Sequence, residues 1–395
     1  MVKIADIESL PVQAPGRTLV IILVTTDTGL VGVGEAGLQR RPMGIAGVVD
    51  HLKRWLVGED PLRIEYLWQR MFRGGFYPAD RLVGSAISAI DIALWDILGQ
   101  TLGVPVYQLL GGRVRDFVEC FLNTDYLPGD SSADKDMSRL ISVGSPEAAA
   151  QRAERALAAG HRFFRLSPPT ADGPFDARAA VRSLLSQLRA VRAAVGNRIE
   201  LMVDLHTRLN PAEAAWFCAE AEPLGLYVVE DPIRSEYPDG YRWLRQQTRL
   251  PLAAGEQWAN KWEFQKPIEQ GWINFARVDV CIAGGISEAR KIAAMAETHL
   301  IQMLFHNPLG PICTAASLHL DLSLDNAGPQ EVLFNPNAML PDVFECAFQL
   351  DGTRLTVPDA PGIGVRVNRE AALKHPAIYS EPPHFQRPDG SYTNY

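Results

Sequence analysis

Residues 200–256 read ELMVDLHTRLNPAEAAWFCAEAEPLGLYVVEDPIRSEYPDGYRWLRQQTRLPLAAGE. Three short apolar runs in this stretch each end on an acid: Val203 before Asp204, Val228-Val229 before Glu230, and Ala253-Ala254-Gly255 before Glu256. Both intervals between the acids are 26 residues, close to the length of one strand-plus-helix unit. In a barrel of such units the C-terminal strand ends share one rim, so the three carboxylates converge on one pocket.

The same alternation continues on either side. Candidate strands lie at 118–123, 163–167, 200–206, 226–230, 252–256, 275–280, 302–306 and 332–334, with Ala-rich helical stretches at 177–195, 212–221 and 286–297 between them. Repeated βα units imply a parallel sheet covered on both faces, and eight of them predict an α/β fold with a barrel. Ahead of the barrel, Leu19 to Val24, the turn Thr26-Asp27-Thr28-Gly29 and Leu30 to Glu35 read as a meander. Beyond Pro42 the pattern is helical, and residues 85–99 form a tightly packed helix of small and apolar residues. Leu109-Leu110-Gly111-Gly112 marks a boundary, and the irregular tail after Pro341 returns to the first domain. The expected division is 1–112, 113–340 and 341–395.

Three anions in a dry pocket need a compensating cation. A hard divalent ion such as Mg²⁺ suits oxygen donors and keeps positions open for substrate oxygens. Each acid taken singly also reads as a solvated loop residue or a helix cap. Two further strand ends are complementary: Phe275-Ala276-Arg277-Val278-Asp279 ends in an acid, and Met303-Leu304-Phe305-His306 ends in a histidine. Adjacent strands would set Asp279 beside His306, orienting the ring and raising its pKa toward that of a general base. A lone histidine at a strand end is more often structural; the acid one strand earlier favours function. His206, two residues after Asp204, points the same way on an extended strand and is placed as an acid. Glu331, Arg165 and Arg208 are weaker candidates for substrate contacts, and a structural ion pair accounts for Arg165 equally well.

Composition narrows the function classes. At 395 residues the chain accommodates a barrel and a second domain. A net charge of -8 argues against nucleic acid, whose phosphates need clustered Lys and Arg. Five scattered cysteines without a CxxC pair fit reduced thiols in the cytoplasm. The start MVKIADIESLPVQ has neither the apolar run of a signal peptide nor that of a membrane anchor.

Val203-Asp-Leu-His206, Val229-Glu-Asp-Pro232, Ala254-Gly-Glu256, Asp279 with Gly284-Gly-Ile286, and His306-Asn-Pro-Leu-Gly-Pro311 together resemble the mandelate racemase-like branch of the enolase superfamily. The Asp-x-His and His-x-Pro-Leu-Gly-Pro elements are similar to those of galactonate and mannonate dehydratases. Ser88 to Asp96 and Pro361 to Val365 extend the likeness over nearly the whole chain. The resemblance implies an α+β capping domain, made from the N-terminal region and the C-terminal tail, over a modified (β/α) TIM-type barrel. It implies Mg²⁺ at Asp204, Glu230 and Glu256, His306 with Asp279 as the base, His206 as the acid that protonates a departing hydroxyl, and Glu331 as a family acid near the end of the next strand. A small-molecule sugar acid is the expected partner, the product a 2-keto-3-deoxy acid, and the assembly a homo-oligomer. Many relatives carry Lys-x-Lys on the second barrel strand, whereas this chain has Phe164-Arg165-Leu166-Ser167. Arg stays protonated, which weakens any racemase reading. Another enolate-based reaction, or a regulatory metal-binding protein of low activity, are the alternatives.

Overall fold

The computed structural model describes residues 2–38, 40–122, 145–168, 175–333, 335–379 and 386–392. Its strands are, in order, β1 (Ile4–Ala14), β2 (Arg17–Thr26), β3 (Val31–Ala36), β4 (Val118–Leu122), β5 (Phe163–Leu166), β6 (Glu200–Asp204) and β7 (Val228–Glu230). They continue as β8 (Leu252–Ala254), β9 (Phe275–Ala276), β10 (Gln302–Met303), β11 (Gln330–Val332), β12 (Phe344–Cys346), β13 (Leu350–Asp351), β14 (Arg354–Leu355) and β15 (Val365–Val367). The helices are α1 (Pro42–Leu56), α2 (Ile64–Arg73), α3 (Arg81–Leu102), α4 (Val106–Leu109), α5 (Pro146–Ala158) and α6 (Ala177–Val195). After these come α7 (Pro211–Ala221), α8 (Asp239–Arg245), α9 (Lys261–Glu269), α10 (Gly285–Glu297), α11 (Pro311–Ser323) and α12 (Arg369–Ala372). Two compact units result, the first from residues 1–120, 256–265 and 277–379, the second from 121–255, 266–276 and 380–395.

In the first unit β1, β2 and β3 form an antiparallel meander. Strand β1 begins irregularly: its apolar residues Ile4, Ile7 and Leu10 are spaced by three, and its register with β2 shifts between Ile4 and Asp6. Strand β3 packs directly on α3: a Cβ on Gly34 would overlap the carbonyl of Ala89, so only glycine lets the backbones approach this closely. Asp80 caps α3 by accepting from Leu82 N and Val83 N, and Gly103 ends it at φ 70°. This helix is long and apolar enough to cross a membrane, but 83% of its apolar window is buried inside the protein. The C-terminal segment lies against the first strand, with Gln13 N donating to His375 O at 2.9 Å and Arg369 paired with Glu8 at 2.7 Å.

Carboxylates inside this unit hold chain segments that are remote in sequence. Asp91 accepts from Ser287 N, just inside α10, and Asp96 bridges Val33 N and Ile363 N. Glu35 accepts from Gly310 N and Cys313 N. Burial pushes Asp91 up to about 7 and Asp96 up to about 6, against the hydrogen bonds that favour their ionised forms.

In the second unit β5 to β9 pair in parallel, each with the next, and along the chain α6, α7 and α8 separate β5 from β6, β6 from β7 and β7 from β8. The strands FFRL, VVE and LAA are buried throughout, as a parallel sheet covered on both faces requires. A strand stands at every one of the eight expected positions, shorter than expected in each case but the last. There it shifts to 330–332; Asn123 and Phe334 lie outside the described residues. Strand β4 also takes an antiparallel partner, β14, through Val118 opposite Leu355.

Candidate active site

In the second unit Asp204 and Glu230 are the last residues of β6 and β7 and lie opposite each other in register. They are 4% and 0% exposed. Arg165 of β5 reaches both, its Nη1 3.2 Å from Glu230 Oε2 and 3.7 Å from Asp204 Oδ2. Its guanidinium also lies 5.4 Å from the Phe121 ring. One fixed cation is thus shared by two buried carboxylates. The donors are all hard oxygen atoms, the set that Mg²⁺ or Ca²⁺ takes.

The expected extended strand through His206 is a correction. Strand β6 stops at Asp204, and His206 and Thr207 both take left-handed backbone at φ 52° and 58°. The physical reason is a pair of hydrogen bonds: Asp204 Oδ1 accepts from His206 N at 2.8 Å while Thr207 N donates to Asp231 O at 2.7 Å, curling the chain back over the strand end. Two successive non-glycine residues at positive φ are costly, and such strain concentrates at functional sites. Asp231, also at positive φ (38°), is buried beside the Tyr241 hydroxyl. Arg208 is 5% exposed, 5.6 Å from the Phe175 ring, and lines a cavity of about 880 Å³ with Arg178, Arg234 and Tyr237.

Glu256, Asp279 and His306 lie in the first unit. Asp279 and His306 bridge in parallel, with His306 N donating to Val278 O at 2.9 Å. His306 Nδ1 is 2.8 Å from Asp279 Oδ2, and Asp279 Oδ1 accepts from Cys281 N at 2.7 Å. On the other side of the ring, Nε2 is 3.5 Å from Glu256 Oε2. Burial opposes charging the imidazole, but the Glu256 and Asp279 carboxylates outweigh it and lift the ring to about 9.

Glu331 is 2% exposed and engaged by the chain itself. It pairs with the fully buried Arg277 and accepts from Asn307 N at 3.0 Å. Arg277 also donates to Phe305 O at 2.7 Å, so the pair braces the backbone on both sides of His306. Among the described residues, Asp279, Cys281 and Cys313 also bring ligand atoms within 4.8 Å of one another. Burial pushes both thiols up, Cys313 to about 11, which disfavours the thiolates a soft metal needs. Arg277 and Glu35 were missed in the sequence. Glu35 had the signal that exposed the other acids, an apolar run ending on a carboxylate.

Residues 11–111 match the family profile of the mandelate racemase / muconate lactonizing enzyme N-terminal domain, and residues 148–371 match that of the enolase C-terminal domain-like family. A D-galactonate dehydratase of Ralstonia nicotianae is 37% identical over 89% of each chain. A D-mannonate dehydratase of Caulobacter vibrioides is 33% identical over the full length of both. A crystal structure of an enolase from Pantoea ananatis, with bound d-gluconate and Mg, superposes over 100% of both chains with a TM-score of 0.90 at 29% identity. The chain therefore belongs to the enolase superfamily, in the mandelate racemase and muconate lactonizing enzyme group, and carries that family's N-terminal cap followed by a barrel-type domain.

Proposed function

We propose that this protein is a Mg²⁺-dependent hydro-lyase that converts an aldonic acid to its 2-keto-3-deoxy acid. The observation that carries the reading is the His306–Asp279 pair at 2.8 Å with Nε2 turned toward Glu256. The dehydratase names of its relatives and the gluconate and Mg bound by the Pantoea ananatis protein support the substrate class and the metal.

The metal ligands in this reading are Asp204, Glu230 and Glu256. They fit by their chemistry: buried hard-oxygen donors that end neighbouring strands, with Glu256 two residues past the end of β8. When bound, Mg²⁺ supplies positive charge against the negative charge that develops on the substrate carboxylate. Asp279 accepts from His306 Nδ1, which leaves Nε2 to take the proton from the carbon next to that carboxylate. His206 then donates a proton to the neighbouring hydroxyl, which leaves as water while the electrons of the broken C–H bond form the carbon–carbon double bond. The resulting enol tautomerises to the ketone. Arg165 and Arg208 are assigned to holding substrate oxygens or their supports, and Glu331 to bracing the His306 strand end near the substrate. In domain terms the reading gives the cap to residues 1–112, with residues 341–395 returning to it, and the chemistry to residues 113–340.

A screen of purified protein with Mg²⁺ against aldonic and aldaric acids, detecting 2-keto-3-deoxy products, tests the reading. A product that disappears on chelation and in His306→Asn supports it. Full metal occupancy with no turnover of any acid sugar rejects it.

A further inference from the structure

The turn that follows His306, Asn307-Pro308-Leu309-Gly310, leads straight into α11. The N-cap of α11 is Gly310, which has no side chain, and no side chain of its own segment caps the helix. Helix N-termini leave N–H groups that Ser, Thr, Asp or Asn ordinarily satisfy. Here Glu35, 275 residues earlier in the chain, does that work: Oε1 accepts from Gly310 N at 2.9 Å and Oε2 from Cys313 N at 3.0 Å. The two positions are the N-cap and N3, those of an ordinary capping arrangement, but the carboxylate comes from β3. The approach is close enough that a Cβ on Gly310 would sit 2.8 Å from Glu35 Oε1.

Glu35 is fully buried. Burial pushes it up to about 7; Cys313 N and Gly310 N favour its ionised form, Asp279 opposes it, and Arg17 of β2 favours it. Removing a charge from water to cap a helix is expensive, so a capping role for stability alone is better filled by a serine at Gly310. What the carboxylate adds is a fixed tether between β3 and the turn. Glu331 grips the same turn at its first residue through Asn307 N, so both ends are held by carboxylates.

We propose that Glu35 is a positioning residue for the base, clamping the His306–Pro311 turn through Gly310 N and Cys313 N so that the imidazole is held in register with Asp279. The proposal rests on the reading of His306 as the base. A reacting group displaced by about 1 Å loses on the order of 100-fold in rate. Glu35→Gln keeps the shape but presents an NH₂ group to one of the two N–H donors.

The test uses the full-length Mg²⁺-loaded protein, Glu35→Gln, and Leu67→Ala, a core variant in α2 that lowers stability without touching the turn. Three readouts are compared: kcat against KM, the rate at which diethyl pyrocarbonate modifies His306 (followed by mass spectrometry of its peptide), and amide exchange at Gly310 and Cys313. Glu35→Gln is expected to lower kcat at least tenfold with KM within twofold, to change the His306 modification rate at least threefold, and to speed exchange at both amides. Leu67→Ala should leave kcat and His306 reactivity at wild-type values. Unchanged His306 reactivity in Glu35→Gln overturns the proposal, as does a kcat within twofold. If no acid sugar is turned over by the wild type, the functional reading fails while His306 reactivity still decides the clamp. If Glu35→Gln does not fold, exchange in the wild type decides: Gly310 and Cys313 amides as fast as exposed ones mean that no clamp exists.

Discussion

His306 Nδ1 lies 2.8 Å from Asp279 Oδ2, although 27 residues and the whole of α10 separate them in the chain. The contact fixes the ring tautomer and leaves Nε2 facing Glu256. His306→Asn is expected to abolish turnover. Asp279→Asn should retain metal binding and lower kcat by about 10²–10⁴-fold, the range for general base catalysis. Steady-state kinetics on a responsive acid sugar measure both, and wild-type kcat in Asp279→Asn would falsify the dyad.

His206 and His306 should separate experimentally. With His206→Asn, loss of the hydroxyl is expected to slow by about 10²–10⁴-fold. Exchange of the α-proton with solvent should continue, because it needs only His306. Proton NMR in D₂O reads both processes at once, and simultaneous loss of exchange and elimination would argue against a separate acid.

Arg165 holds Glu230 and Asp204 together where no lysine stands on β5. Breaking a buried ion pair from one side costs about 3–5 kcal/mol. Arg165→Met should therefore lower the melting temperature strongly in chelator, with Mg²⁺ recovering part of the loss. A melting curve equally indifferent to Mg²⁺ in wild type and variant would count against a metal at these carboxylates.

Asp91 gives a pH prediction with a definite sign. Its folded-state pKa, about 7, lies above the usual carboxylate value. Its contribution is therefore complete below about pH 4 and is lost as pH rises through 7. In Asp91→Asn the fall in melting temperature between pH 4 and 7 should be shallower than in wild type. His319, lowered by burial to about 4, acts in the opposite direction, so the difference between the two proteins is the quantity to read.

Gly34 faces the carbonyl of Ala89 in α3. Gly34→Ala should destabilise the protein by about 1–3 kcal/mol, the usual cost of overpacking. Since Glu35 follows immediately, a measurable loss of kcat in the folded variant is also expected. Denaturant unfolding and kinetics measured side by side check both.

The acids at Asp204, Glu230 and Glu256 were legible in the sequence because each ends an apolar run, and strand geometry carries that position into space without knowledge of distant contacts. Asp279 and His306 were legible for the same reason, as were α6 and α10, whose small and apolar residues recur at helical spacing. The turn at His206 was not, because its left-handed backbone depends on Asp204 accepting from His206 N and on Asp231 O arriving from just past the end of β7. Nor were the partners of Glu331 and Glu35. Arg277 reaches Glu331 across 54 residues, and Gly310 reaches Glu35 across 275. A carboxylate's place at the end of a strand is a local property. Which buried N–H or guanidinium satisfies it is decided only when the chain has folded and water has been excluded around it.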